Sequence, residues 1–393
     1  MKYKIYYSDI IAFLFFHIGF LTFPYFEQYN LLKYSIIVIV FVYLFCNYKI
    51  IFEKKYRVFD VVLLMFLLVV LITGYINRNE LKERDVFLAA IVFVLIVMEA
   101  FFLFQCFEHK RVLGRTINIV YHLTALYVVL TDIILVVNQD LVVEKEGYYL
   151  IGNKFSVVFA HYLMICLYWY VKCNKKKILI INKSILALMY VLTFSVALFV
   201  ECATGVVGCV LLFTLMMFRK RITLVCVKPI VPIIVLCIAC SVLLVSDVMT
   251  NNYFVRFIVE DVLQRDISLT GRMGIYTSMY ELFPGHYWSG YGYGSTYEVC
   301  MKLLGAPNTQ NGLMEIVVQF GLVGAGLFLV LIFFAFRQNS YQNNRRYSMP
   351  IISLLYVYII LASVEITLEL QFLVLLAIMV ASAEMEKKDI ISI

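Results

Sequence analysis

The sequence predicts an all-α, polytopic membrane protein of about 12 transmembrane helices, with one long external loop bearing short helices. Three observations predict it. Of 393 residues, 63% are hydrophobic and 15% charged, which is more apolar surface than one soluble core can hide. Apolar runs near the ~20 residues that cross a bilayer recur along the whole chain. The Lys and Arg residues, finally, sort unequally between alternate connections. A soluble enzyme is excluded.

The runs fall at 8–26, 31–48, 58–76, 86–107, 116–138, 155–171, 184–202, 204–218, 222–246, 307–336, 349–365 and 367–383. The first, through "FLFFHIGFLTFPYF", has no small-residue cleavage site behind it and reads as a retained anchor. The polar Thr204-Gly205 break between the seventh and eighth favours a tight hairpin over one long helix. Three regions follow: 1–246 with helices 1 to 9, an external catalytic or substrate loop at 247–306, and 307–393 with helices 10 to 12 and a cytoplasmic tail. With the N-terminus inside, the inner segments hold 22 Lys and Arg residues against ten outside, Lys228 falling within a span. The positive-inside rule then puts both termini in the cytoplasm of a multi-pass plasma (inner) membrane protein. It also accounts for the net charge of +7 without a nucleic-acid partner.

Of ten cysteines, Cys300 lies outside and Cys202 near an outer helix end, so no exported disulfide framework is expected. Cys237 and Cys240 form a CxxC inside an apolar span, where cysteine ordinarily packs.

The 247–306 loop holds seven tyrosines, among them Tyr291 and Tyr293, together with Trp288 and seven of the 18 glycines. Such rings suit flat sugar faces and equally suit an interfacial aromatic belt. Arg256, Arg265 and Arg272 suit phosphate oxygens through bidentate hydrogen bonds. In a helical reading Arg256 meets Glu260, and Asp261 meets Arg265, at i,i+4 spacing, whereas Arg272 faces Tyr276 and is the best anion candidate. A helix start near Ser268 or Thr270 would add the dipole's attraction for an anion there. "FPGHYWSGYGYGS" reads as a glycine and aromatic turn whose amides can approach a polar ligand, and His286 within it is a candidate base. Asn308, Gln310, Asn311 and Glu315 open the tenth span, at a depth where polar groups are costly unless they line a cavity. Asn308 and Thr309 are candidate caps. Asn153, Lys154 and His161 open the sixth span on the same side. The buried acids Glu99, Asp132, Glu201, Glu365 and Glu369 either pair within the bundle or line a solute path.

The order of "TGRMGIY", "YWSGYGYGS" and "NTQNGLMEIVVQFGLVG" resembles the O-antigen ligase and polymerase superfamily, and "GNKF" with His161 resembles its Wzy-type capsular or O-antigen repeat-unit polymerases. The sequence departs from the family pattern at Thr270, where Ser is usual, at Gln310, where His is usual, and at "CATGVVG", where a Ser-Arg pair is frequent. The resemblance implies metal-independent polymerisation of undecaprenyl-pyrophosphate-linked oligosaccharides at the outer leaflet, without cofactor. Its implied partners are that lipid-linked substrate, the bilayer and other polysaccharide assembly proteins. Under it, Arg272 and Lys154 contact the diphosphate, with Asn153, Arg256 and Arg265 as further substrate contacts. Gln310, Asn311, Glu315, Tyr291 and Tyr293 contact sugar or phosphate, and Glu298, His286 or His161 is the base. A ligase of the same superfamily, or a lipid-linked glycan flippase or transporter, is the alternative.

Overall fold

The computed structural model describes residues 6–23, 30–50, 53–81, 84–137, 149–173, 179–244, 272–340 and 345–383. These form helices and no strand, apart from an isolated bridge between Tyr149 and Gly152. In chain order the helices are α1 (Tyr7–Gly19), α2 (Asn30–Cys46), α3 (Arg57–Ile76), α4 (Val86–His109), α5 (Leu113–Val137), α6 (Lys154–Tyr168), α7 (Ile180–Phe199) and α8 (Ala203–Met217). After them come α9 (Arg219–Cys226), α10 (Val231–Leu244), α11 (Arg272–Ser278), α12 (Thr296–Leu304), α13 (Gly312–Ser340), α14 (Arg345–Leu361) and α15 (Leu370–Ala383). Six of them (α3, α4, α5, α6 with the π turn that extends it, α7 and α13) are long and apolar enough to cross a bilayer. Six more, α1, α2, α8, α10, α14 and α15, are apolar helices of 10–17 residues. This is an all-α polytopic membrane protein.

Short connections fold α1 on α2, α3 on α4, α7 on α8 and α14 on α15. Helices α6 and α15 are apolar on every face and buried almost throughout, so they form the centre of the bundle. Helices α5 and α7 are buried over only 28% and 22% of their most apolar windows, which makes them perimeter. Their exposed Val129, Ile133, Leu188 and Leu198 face where lipid would lie.

Three elements differ from the sequence expectation. The apolar run at 222–246 is two helices, because Pro229 lacks the amide a continuous helix needs and disfavours helical backbone at Lys228. Lys228 is therefore an exposed turn residue at the bundle end opposite the long loop. The α7–α8 hairpin does exist, but it turns at Val200–Cys202 with Glu201 left-handed (φ 52°), before Thr204-Gly205. Helix α13 begins at Gly312, five residues later than its apolar run. Asn311 caps it, its Oδ1 accepting from the amides of Leu313 (3.2 Å) and Met314 (3.1 Å).

Candidate functional site

The glycine and aromatic turn at 286–295 is clasped into a break in α13. Gly321 has φ 66° and ψ −175°, outside the helical region, and the carbonyls of Val318 and Gln319 lose their usual partners. The turn supplies them. Tyr291 N–H donates to Val318 O (2.8 Å), Gly292 N–H to Gln319 O (2.7 Å), and Leu322 N–H to Tyr287 O (2.8 Å). Gly290 (φ 61°) lies so close that an added Cβ would stand 2.6 Å from Val318 O, and one on Gly321 would strike the Trp288 carbonyl. Asn77 Nδ2 pins the turn from α3's end by donating to Gly290 O (3.0 Å). His286 closes it internally, its Nδ1 3.2 Å from Gly290 O and its ring stacked on Tyr291 at 3.8 Å. The amides of Tyr291 and Gly292, which the sequence offers to a ligand, thus hold a helix break.

A buried polar chain leads inward from this clasp. Thr309 Oγ1 donates to Glu315 Oε2 (2.9 Å), and Gln319 Nε2 donates to Glu315 Oε1 (2.8 Å). Asn311 Nδ2 donates to Cys240 O (3.2 Å). Gln310 is left-handed (φ 52°) and held by Asn308 Oδ1, to which its Nε2 donates at 2.7 Å. Tyr276 of α11 donates to Gln310 O (2.9 Å) and Ser363 O (3.3 Å), tying α11 to both the start of α13 and the 362–369 connection.

At this end of the bundle lies a cavity of about 310 Å³. Its walls come from the end of α1 (His17, Thr22, Phe23), the start of α2 (Asn30, Lys33), Arg84, the start of α6 (Asn153, Phe155, Ser156, Phe159), Tyr293 and the segment through Glu365, Thr367, Glu369 and Gln371. It therefore holds two permanent cations, two carboxylates and several flat rings. Tyr293 stacks on Phe93 (4.2 Å between ring centres). Burial, the neighbouring Glu369 and Glu315 raise its phenol's pKa, Arg84 opposing them, so it is neutral. Glu369 is open to the cavity although surrounded by protein. Burial first, then the negative Glu315 and Glu365, push its carboxyl up to about 7, with Arg84 pulling the other way.

Of the residues singled out in the sequence, Asn153, Tyr293 and the two acids Glu365 and Glu369 line this cavity. Asn153 caps α6 through the Ser156 amide (3.0 Å), and Lys154 beside it reaches the Glu201 carbonyl (3.5 Å). Glu315, Gln310 and Asn311 form the polar start of α13, and Tyr291 belongs to the clasp. His161 is fully buried, its Nδ1 2.9 Å from Val157 O and its Nε2 3.2 Å from Asp132 Oδ2. Glu298 sits half-buried in the first turn of α12. Arg256, Arg265, Ser268 and Thr270 lie outside the described residues, and Arg272 is the first residue of α11. Cys300 is buried, and burial, with Glu315 adding to it, pushes its thiol up to about 12. Lys33 and Arg84 are visible in the sequence only as outer-side cations in short connections, and His17 as a single histidine in an apolar run.

Residues 181–329, from α7 into α13, match the family described as O-antigen ligase. The match supports placement in the O-antigen ligase/polymerase superfamily, whose members are inner-membrane enzymes acting on polysaccharide. No curated protein matches the chain. The matched segment contains the whole clasp and contributes one residue, Tyr293, to the cavity wall.

Proposed function

We propose that this protein, carrying an O-antigen ligase segment, polymerises undecaprenyl-pyrophosphate-linked oligosaccharide repeat units into surface polysaccharide, such as capsule, at the outer leaflet. The cavity is the observation that carries the reading. Lys33 and Arg84 bring the positive charge that a diphosphate needs as it departs, and preorganised cations act most strongly where water is scarce. Tyr293, Phe155 and Phe159 offer flat faces for sugar rings. The lipid diphosphate is already a good leaving group, so the protein's task is to orient donor and acceptor, neutralise developing charge and remove one proton. Metal-independent transfer is the simplest chemistry for such a set. Arg272 and Lys154 are the further cations proposed for the diphosphate, with Arg256 and Arg265, which lie outside the described residues, as additional substrate contacts. The excess of Lys and Arg on the opposite end supports an outward-facing cavity and cytoplasmic termini.

The test is to delete the gene, size the surface glycan, and complement with Arg84→Ala, Lys33→Ala and Arg272→Ala at equal membrane abundance. Single lipid-linked repeats should accumulate in the deletion strain and with Arg84→Ala. Unattached long chains would instead assign a ligase, and undisturbed glycan would overturn both assignments.

A further inference from the structure

We infer that Glu369 takes the proton of the attacking sugar hydroxyl in the cavity. The inference rests on the glycosyl-transfer reading above and adds to it the residue that completes the reaction.

A proton acceptor must reach the open space, be able to hold a proton near neutral pH, and not be spent on other contacts. Elimination among the titratable groups of the cavity leaves one. Lys33 and Arg84 are cations. His17 has Nδ1 2.9 Å from Phe13 O and Nε2 2.9 Å from Tyr127 OH, so both ring nitrogens are engaged. Tyr293 is a neutral phenol within an aromatic stack. The hydroxyl of Tyr358 is directed at Gln371 Oε1 (3.5 Å). Glu365 is 8% exposed and turns one oxygen to the Ile366 amide (3.3 Å). Glu369, by contrast, is exposed to the cavity and its carboxylate accepts no hydrogen bond among the described residues. Its backbone is fixed, since its carbonyl accepts the Leu373 amide (3.3 Å) at the start of α15, the central helix. A carboxylate with no hydrogen-bond partner among the described residues therefore stands on a backbone held by the start of α15.

The surroundings tune this group. Glu315 and Glu365 raise its basicity and Arg84 lowers it, leaving it near half-protonated at neutral pH. A diphosphate bound against Arg84 would offset the one cation that opposes Glu369. Substrate arrival would thus make the carboxylate a stronger base at the moment it is needed.

The step balances. The acceptor hydroxyl oxygen bonds to the anomeric carbon of the donor as its proton passes to Glu369. The anomeric carbon's bond to the diphosphate oxygen breaks, and its electron pair leaves with that oxygen. The proton then passes from Glu369 to the departing lipid diphosphate or to water, which restores the carboxylate.

The experiment uses the full chain in detergent, with lipid-linked repeat extracted from the deletion strain as both donor and acceptor. Wild-type kcat/KM should rise with pH through a single ionisation near about 7, the value of the free protein, with the midpoint of kcat moved upward by the bound diphosphate. Glu369→Gln should lose about 100-fold or more and any residual rate should be independent of pH across that range. Glu369→Asp should retain transfer with its midpoint moved. Should Glu369→Gln fail to accumulate, Glu369→Asp decides, because an unmoved midpoint overturns the inference. Full transfer by Glu369→Gln alongside loss in Arg84→Ala would leave the cavity standing and remove Glu369 as proton acceptor. Full transfer by both would overturn the cavity reading itself.

Discussion

The clasp at 286–295 and the cavity beside it share Tyr293 and little else. The clasp is dense in sequence: ten consecutive residues carry glycines, tyrosines, a tryptophan and a histidine, the residue types that ordinarily advertise a ligand site. Its backbone amides are nonetheless engaged by the α13 break, and its glycines are required because Gly290 and Gly321 pack backbone to backbone. The cavity is sparse in sequence, drawn from seven separate stretches between His17 and Gln371. The family-matched segment contains the first and almost none of the second. Conspicuous local composition here marks architecture, while the proposed chemistry draws on residues brought together from a distance.

Four substitutions sharpen or break that contrast. The largest effect should come from Gly321→Ala, which sets a side chain against the Trp288 carbonyl at a left-handed position. Strain and overpacking together should cost about 3 kcal/mol, seen as a lowered melting temperature in detergent and lost membrane abundance. A Gly321→Ala protein that melts like wild type would mean the clasp is not the structural element described. Next, Arg84→Ala should cut transfer by about 100-fold or more with melting unchanged. A fall in melting as large as that of Gly321→Ala would erase the distinction between the two regions.

Glu369→Gln gives a smaller effect with a defined sign. The folded-state pKa is raised from the ordinary 4.5 to about 7, so in that interval the folded protein holds a proton that the unfolded chain releases. The stability this group contributes is full below about 4.5 and is lost as pH rises through 7. Glu369→Gln should therefore melt above wild type at pH 8 and with it at pH 4, and the reverse order would contradict the environment described. The smallest perturbation is a label. Met301 is 45% exposed and its neighbour Cys300 is buried. An impermeant thiol reagent on intact cells should thus mark Met301→Cys and leave Cys300 silent, whereas labelling only after permeabilisation would reverse the proposed orientation.

Much of the fold was legible because bilayer-length apolar runs and hairpin breaks are local signals. The α9–α10 boundary escaped because the run stays apolar past Pro229, and only its missing amide betrays the turn. The break at Gly321 escaped because "GLVGAGLF" reads equally as small residues for close helix packing. Asn153 and Tyr293 were legible through their neighbours, a helix cap and an aromatic run. Lys33 and Arg84 were legible as charges in connections on one side of the bundle and Glu369 as an acid inside an apolar run, but their convergence depends on how α1, α2, α6 and α15 pack. No spacing along the chain encodes that. Cys300 shows the same limit from the other side, since a residue of the 247–306 loop is buried by what folds over it.

The break in α13 also bears on how the protein is made. Residues 321–340 alone span about 30 Å at the rise of an α-helix, enough for the hydrocarbon core. The part of α13 before the break, which carries Glu315 and Gln319, is therefore not needed for insertion. Ribosomal synthesis delivers residues 286–295 first, and the carbonyls of Val318 and Gln319 arrive about 30 residues later. Until then the turn's donors are hydrated. Under the proposed orientation the translocated turn must wait on its own side for the helix that completes it, which makes closing this end of the bundle a late event in biogenesis, set by order of synthesis as much as by affinity.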